Sequence, residues 1–169
     1  MPIQDDVITD TTRIARTIPT ILELQEKGAQ VIVMSHFGRP KGQKCPEMSL
    51  KPIAAELGRY LNQVVIFSHD CIGQEAMEMI SAVDRDSVIM LENLRFHSEE
   101  EENDENFAKQ ISDLADIYVN NAFSCAHRAH ASTEAITRFL PSAAGRLMQY
   151  ELEALNNALG NPAPPVAAL

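Results

Sequence analysis

Short, unbroken apolar runs rich in β-branched residues alternate along this chain with longer stretches of helical period. The runs are residues 31–34 (Val-Ile-Val-Met), 64–67 (Val-Val-Ile-Phe), 88–91 (Val-Ile-Met-Leu) and 117–119 (Ile-Tyr-Val), with one more beginning at 166–169 (Val-Ala-Ala-Leu). Between them the spacing predicts helices over 12–27, 50–61, 73–80, 107–114 and 146–159. A strand that is apolar at every position must be covered on both faces, and strands separated by helices run parallel. The expected fold is therefore α/β, a doubly wound (Rossmann-like) parallel sheet with helices on both faces.

Local punctuation supports these elements. The Thr-Asp-Thr-Thr segment at 9–12 is suited to cap a helix, and Lys27-Gly28 to stop it, while Pro19 is expected to kink it or reset its start. Ser49 is the expected cap of the next helix, with Pro52 tolerated in its first turn. The acidic stretch 99–102, with Asp104 and Glu105, reads as a solvated loop favouring the following helix start rather than as a metal site. Residues 161–165 (Asn-Pro-Ala-Pro-Pro) read as a stiff connector.

At 169 residues the expectation is a single domain over 1–169 with a real core. No apolar run approaches the ~18 residues of a membrane span, and the opening lacks a basic, apolar leader, so a cytoplasmic location is expected. Cys45, Cys71 and Cys125 are odd in number and widely spaced, which argues for reduced thiols. The formal charge of -10 repels nucleic acid unless the basic groups are concentrated. Neither a nucleic acid nor a membrane partner is expected.

Basic residues are in fact concentrated. In open parallel sheets ligands bind beyond the carboxyl ends of the strands. Run 31–34 leads into Ser35, His36, Phe37, Gly38 and Arg39; run 88–91 leads into Glu92, Asn93, Leu94 and Arg95; run 117–119 leads into a loop holding His127, Arg128 and His130. Any one of these arginines alone would read as a surface group paired with a nearby acid. Arg39, Arg95 and Arg128 at equivalent strand ends make a cradle for a phosphate or carboxylate. Neither a phosphate loop of the G-x-x-x-x-G-K-[ST] type nor a G-x-G-x-x-G turn is present, so the anion need not be a nucleotide. His127 and His130, with Cys125 nearby, lack further ligands at metal spacing, and Arg128 between them disfavours a cation. For His36, His127 and His130, helping arginine to neutralise an anion is the better reading. Cys125 as a nucleophile lacks any supporting arrangement beyond one nearby histidine.

At these loops the sequence resembles the phosphoglycerate kinases. Ser35-His36-Phe37-Gly38-Arg39-Pro40 is similar to their S-H-[LF]-G-R-P segment, and Ser49-Leu50-Lys51-Pro52 to S-L-x-P. Leu91 to Phe96 resembles L-E-N-[LV]-R-F, and residues 121–132 resemble D-A-F-G-T-A-H-R-A-H-A-S. The motifs occur in family order and span essentially the whole chain. The resemblance implies phosphoryl transfer between 1,3-bisphosphoglycerate and ADP, or 3-phosphoglycerate and ATP in reverse, in glycolysis and gluconeogenesis. It assigns 3-phosphoglycerate contacts to Arg13, His36, Arg39, Arg95 and Arg128, with Phe37 and Gly38 in the same segment and His127 and His130 in support. Arg13, from the T-x-R-I segment, is also implied to reach the transferring phosphoryl group, a catalytic role that the strand-end argument does not find.

Three departures qualify the resemblance. Asn121, Ser124 and Cys125 replace the commoner Asp, Gly and Thr. Met1-Pro2 resembles the end of R-x-D-x-N-V-P, so the sheet's first strand, with an Asp and an Asn for the substrate, is expected to be missing. The chain stops at Ala167-Ala168-Leu169, before the family's G-G-[AS]-K-V. The expectation is that magnesium ATP or ADP binds to an absent carboxyl-terminal domain, that this chain alone holds no cofactor and is inactive, and that the full-length protein is a monomer. Two other readings compete: a stand-alone small-anion binding domain, and a flavodoxin-like regulator. The second would need acidic rather than basic strand ends.

Overall fold

One strand organises the molecule. In the computed structural model, β5 (Val88–Met90) lies between β3 (Val31–Val33) and β4 (Val65–Phe67), and both pairings are parallel. The structure describes residues 10–160 and, before them, the backbone of β1 (Ile3–Gln4) and β2 (Val7–Ile8), a short antiparallel pair. The connector at 161–165 and the expected run at 166–169 lie outside the described residues.

The side chains of β5 alternate between two cores, as period-two geometry requires. Val88 and Met90 pack with Ile14 and Ile21 of α1 (Thr12–Glu26) and with Ile53, Ala54, Leu57 and Leu61 of α2 (Lys51–Leu61). Ile89 points the other way, joining Ala76 of α3 (Gly73–Ala82) and Phe107, Ala108 and Ile111 of α4 (Glu105–Ser112). Helices thus cover both faces of parallel strands, and the α/β class expected from the sequence is the one observed.

The parallel strands fall into two sheets among the described residues. β6 (Tyr118–Asn120) pairs with β7 (Ser142–Ala144) rather than with the three-stranded sheet. The Ser-Ala-Ala sequence of β7 is exposed and carries no apolar signal, which is why periodicity misses it. α5 (Arg146–Leu159) follows directly and spans the predicted residues.

The helix ends show which punctuation acts. Asp10, not a threonine, supplies the oxygen at the start of α1, accepting from the Thr12 N–H at 2.9 Å. α1 runs on through the exposed Pro19, so the proline does not reset the start. Gly28, at φ +80°, closes α1: its N–H reaches the Gln25 carbonyl and that of Ala29 the Leu24 carbonyl. Asp104 caps α4 through the Phe107 N–H at 2.8 Å, as expected of its acidic neighbourhood. No helix of the described residues is long and apolar enough to cross a membrane.

Candidate anion-binding site

Backbone hydrogen bonds stitch the ends of β3 and β5 together. The Leu91 N–H donates to the Val33 carbonyl at 3.0 Å, and that of Leu94 to Ser35 at 3.1 Å, so the two strand-end loops run side by side. Glu92 then anchors the start of α2, accepting from the Leu50 N–H at 2.8 Å and from the Ser49 hydroxyl at 2.7 Å. Asn93 is fully buried. Its amide donates to the carbonyls of Phe37 (2.7 Å) and Met48 (2.9 Å), and its Oδ1 accepts from the N–H groups of Phe37 (3.2 Å) and Arg95 (3.1 Å).

This bracing sets Arg95, which is buried. Nη1 donates to the Gly38 carbonyl at 2.8 Å, and Nη2 lies 3.2 Å from Glu101 Oε1. Gly38 sits at φ +68°, a conformation that favours glycine, and a Cβ there would come within 2.5 Å of the Met48 sulfur. The glycine lets the backbone pass closely enough to present its carbonyl to Arg95.

The third loop is held from below. Glu100 is buried, against the expectation of a solvated acidic run. Its carboxylate accepts from the Ser132 N–H (3.0 Å) and hydroxyl (2.6 Å), and its carbonyl from the Ala131 N–H (3.0 Å). Burial raises its carboxyl pKa above the ordinary value, and the Ser132 hydrogen bonds oppose the rise. Thr133 donates to the Arg128 carbonyl at 2.7 Å and accepts from the His130 N–H at 3.1 Å, fixing the turn that carries both residues.

Together the loops bound a cleft of about 360 Å³ lined by Arg39, Arg95, Glu101, Arg128 and His130. The structure therefore brings all three strand-end arginines to one place. His36 is partly buried beside them: burial first, then the charges of Arg95, Arg128 and His130, push its pKa down to about 4. His130 is lowered too, by burial and then by Arg95. In the free protein both rings are thus mostly uncharged at neutral pH, and the positive charge is the arginines' own. His127 is exposed and accepts from Arg128 Nε at 3.4 Å. Phe37 packs against the α1–α2 core. Arg13 stands exposed on the first turn of α1 and is not among the lining residues.

Several functional placements escape sequence reasoning. Glu101 enters the cleft, although nothing in an acidic run distinguishes it. Asn121, a departure from the family motif, caps α5: its Oδ1 accepts from the Leu147 N–H at 2.9 Å and the Thr20 hydroxyl at 3.3 Å. Ser124 and Cys125 touch each other at 3.9 Å and do not line the cleft. Away from it, Asp70, Cys71 and His97 form a cluster of possible metal ligands. Lys44 occupies the Asp70 carboxylate at 2.8 Å, and burial pushes the Cys71 thiol far above its ordinary pKa, so this chemistry fits a cation poorly.

The family model for phosphoglycerate kinase matches residues 1–169. The phosphoglycerate kinase of Granulibacter bethesdensis is 54% identical over the whole of this chain and 43% of its own length. That of Rhizobium meliloti is 53% identical over the whole chain and 42% of its own length. The chain therefore spans well under half the length of these curated relatives. Among solved structures, phosphoglycerate kinase from Coxiella burnetii gives a TM-score of 0.83 at 38% identity, covering 98% of this chain and 41% of that one. The Pyrococcus horikoshii enzyme gives 0.86 at 34% identity, covering 96% and 42%.

The electrostatics of His36 yield a pH prediction. Its folded pKa of about 4 lies below the ordinary 6.5, so the unfolded chain binds the extra proton between those values. Stability should fall as pH drops through that window, and less steeply in His36→Gln. Imidazole NMR should place the His36 midpoint near 4 in the free protein and move it upward when an anion binds. A midpoint near 6.5, unmoved by ligand, contradicts this placement of His36.

Proposed function

Because the chain belongs to the phosphoglycerate kinase family, we propose that its basic cleft binds the phosphate of 3-phosphoglycerate or 1,3-bisphosphoglycerate, and that the chain is the substrate-binding half of the enzyme. The observation that carries this reading is the convergence of Arg39, Arg95 and Arg128 from three separate strand-end loops on one cleft in a protein of net charge -10. Guanidinium groups are permanently charged and planar, and they suit a phosphate better than any single cation does. His36 and His130, whose rings burial and the neighbouring arginines keep mostly neutral, gain charge when an anion compensates those arginines.

Phosphoryl transfer depends mainly on positioning and on neutralising charge, and the proposed parent activity is transfer between 1,3-bisphosphoglycerate and ADP. Arg13 belongs to this reading through the family motif alone, as the residue that would meet the transferring group. Magnesium nucleotide supplies the phosphoryl acceptor or donor in that reaction. The described residues do not fit it: the cleft is lined by arginines, and the Asp70 cluster is already neutralised by Lys44. Nucleotide binding is therefore assigned to residues other than the described ones, which act as the acid-side cradle.

Calorimetric titration tests the cradle. Arg39→Ala and Arg128→Ala should each weaken 3-phosphoglycerate binding by roughly tenfold to a hundredfold, as for a charge-assisted hydrogen bond of ~1.5–3 kcal/mol. Their melting temperatures should hardly move. Unchanged affinity in both variants contradicts the assignment. In a coupled assay with 1,3-bisphosphoglycerate and magnesium ADP, the 169-residue chain should give no turnover above background. Robust turnover would place the transfer machinery within this chain and favour a complete catalyst over a binding half.

A further inference from the structure

We propose that Glu101 is a displaceable internal anion: in the free protein its carboxylate stands where an incoming phosphate oxygen will sit, and the ligand binds by evicting it. The inference rests on the reading of the cleft as an anion site. Among the described residues, Glu101 is the one acidic member of the five that line the cleft. Its Oε1 is 3.2 Å from Arg95 Nη2.

The geometry around Arg95 argues for an occupant that fits imperfectly. Nε and Nη2 share one edge of the guanidinium, the edge that grips two oxygens of a single anion side-on. Glu101 engages Nη2, whereas Nε is buried and has no hydrogen-bond partner among the described residues. A buried donor left open is costly, so the edge is occupied without being satisfied. A phosphate offers a second oxygen to Nε while taking Nη2 from Glu101.

The two partners differ in their freedom to move. The Arg95 side chain is only 7% exposed, its Nη1 is tied to the Gly38 carbonyl, and its backbone N–H is tied to Asn93. Glu101 is 44% exposed, so its carboxylate has water as an alternative partner. When the pair separates, the acid swings out and the arginine stays. A permanent brace, which would keep the guanidinium aimed with Glu101 in place, predicts the opposite effect of neutralising the acid.

The test compares the unmodified chain with Glu101→Gln and, as a control for general charge removal, Glu99→Gln, an exposed acid outside the lining. Inorganic phosphate and 3-phosphoglycerate are titrated calorimetrically at low salt, with thermal melts confirming that each variant folds. Glu101→Gln should bind about fivefold tighter, the upper scale of one partly exposed ion pair removed from competition. Glu99→Gln should change affinity by less than about twofold, as expected for an exposed charge outside the cleft. Equal or weaker binding by Glu101→Gln overturns the inference while leaving the anion site standing. Failure of both the unmodified chain and Glu101→Gln to bind either probe removes the site and the inference together. A readout in the unmodified chain needs no variant. At saturating ligand the Glu101 side-chain carboxyl ¹³C resonance should move to its solvated position and the Arg95 Nε–H resonance should move downfield. An unmoved Glu101 resonance at saturation contradicts eviction.

Discussion

The amide of Asn93 uses both donors and its acceptor oxygen twice, all on backbone groups, and the geometry of the cleft depends on it. Those four hydrogen bonds join the loop after β3, the turn before α2 and the loop after β5. A buried amide is tolerated only when its polar atoms are paired, so any slippage of one loop against another would leave an orphan. Glu92, one residue earlier, ties the same point to the start of α2. Arg95 is the beneficiary. Its position follows from a network of backbone groups, the Asn93 amide, the Ser49 hydroxyl and one carboxylate.

Burying a guanidinium in an acidic protein requires compensation, and the compensation here is incomplete in a useful way. The Gly38 carbonyl and Glu101 meet two of the three nitrogens of Arg95, and Nε remains open among the described residues. Arg39 stands exposed and Arg128 partly so at the same cleft. Like charges at one cleft raise the electrostatic energy of the free site, and the pKa values of His36 and His130, depressed first by burial, are lowered further by the same field. An anion relieves that repulsion. The family to which the chain belongs handles phosphorylated glycerate, and the proposed role uses the stored repulsion as binding energy.

Much of this was legible in the sequence, for physical reasons. Strands apolar on both faces announce a two-sided core, and β5 shows it by sending Val88 and Met90 one way and Ile89 the other. Arginines in the loops after such strands lie at the strands' carboxyl ends, which is why the grouping of Arg39, Arg95 and Arg128 follows from their places in the chain, although β6, the strand before Arg128, pairs with β7 and not with β3 or β5. β7 was not legible, because Ser-Ala-Ala carries no burial pattern and pairs only through its backbone. Glu100 and Glu101 were not either. One is buried against Ser132 and the other faces Arg95, and neither contact leaves a mark on the composition of the acidic run. The substrate role of Arg13 rests on a motif, and its exposed position on α1 neither adds to it nor opposes it.

The central claim, that three loops form one anion site, is tested most directly by mapping amide chemical shifts while 3-phosphoglycerate is added to the ¹⁵N-labelled chain. The account predicts that shifts concentrate in residues 36–39, 93–96 and 125–130 and saturate with a single common affinity. Shifts scattered over the surface, or separate affinities for the three loops, would contradict it.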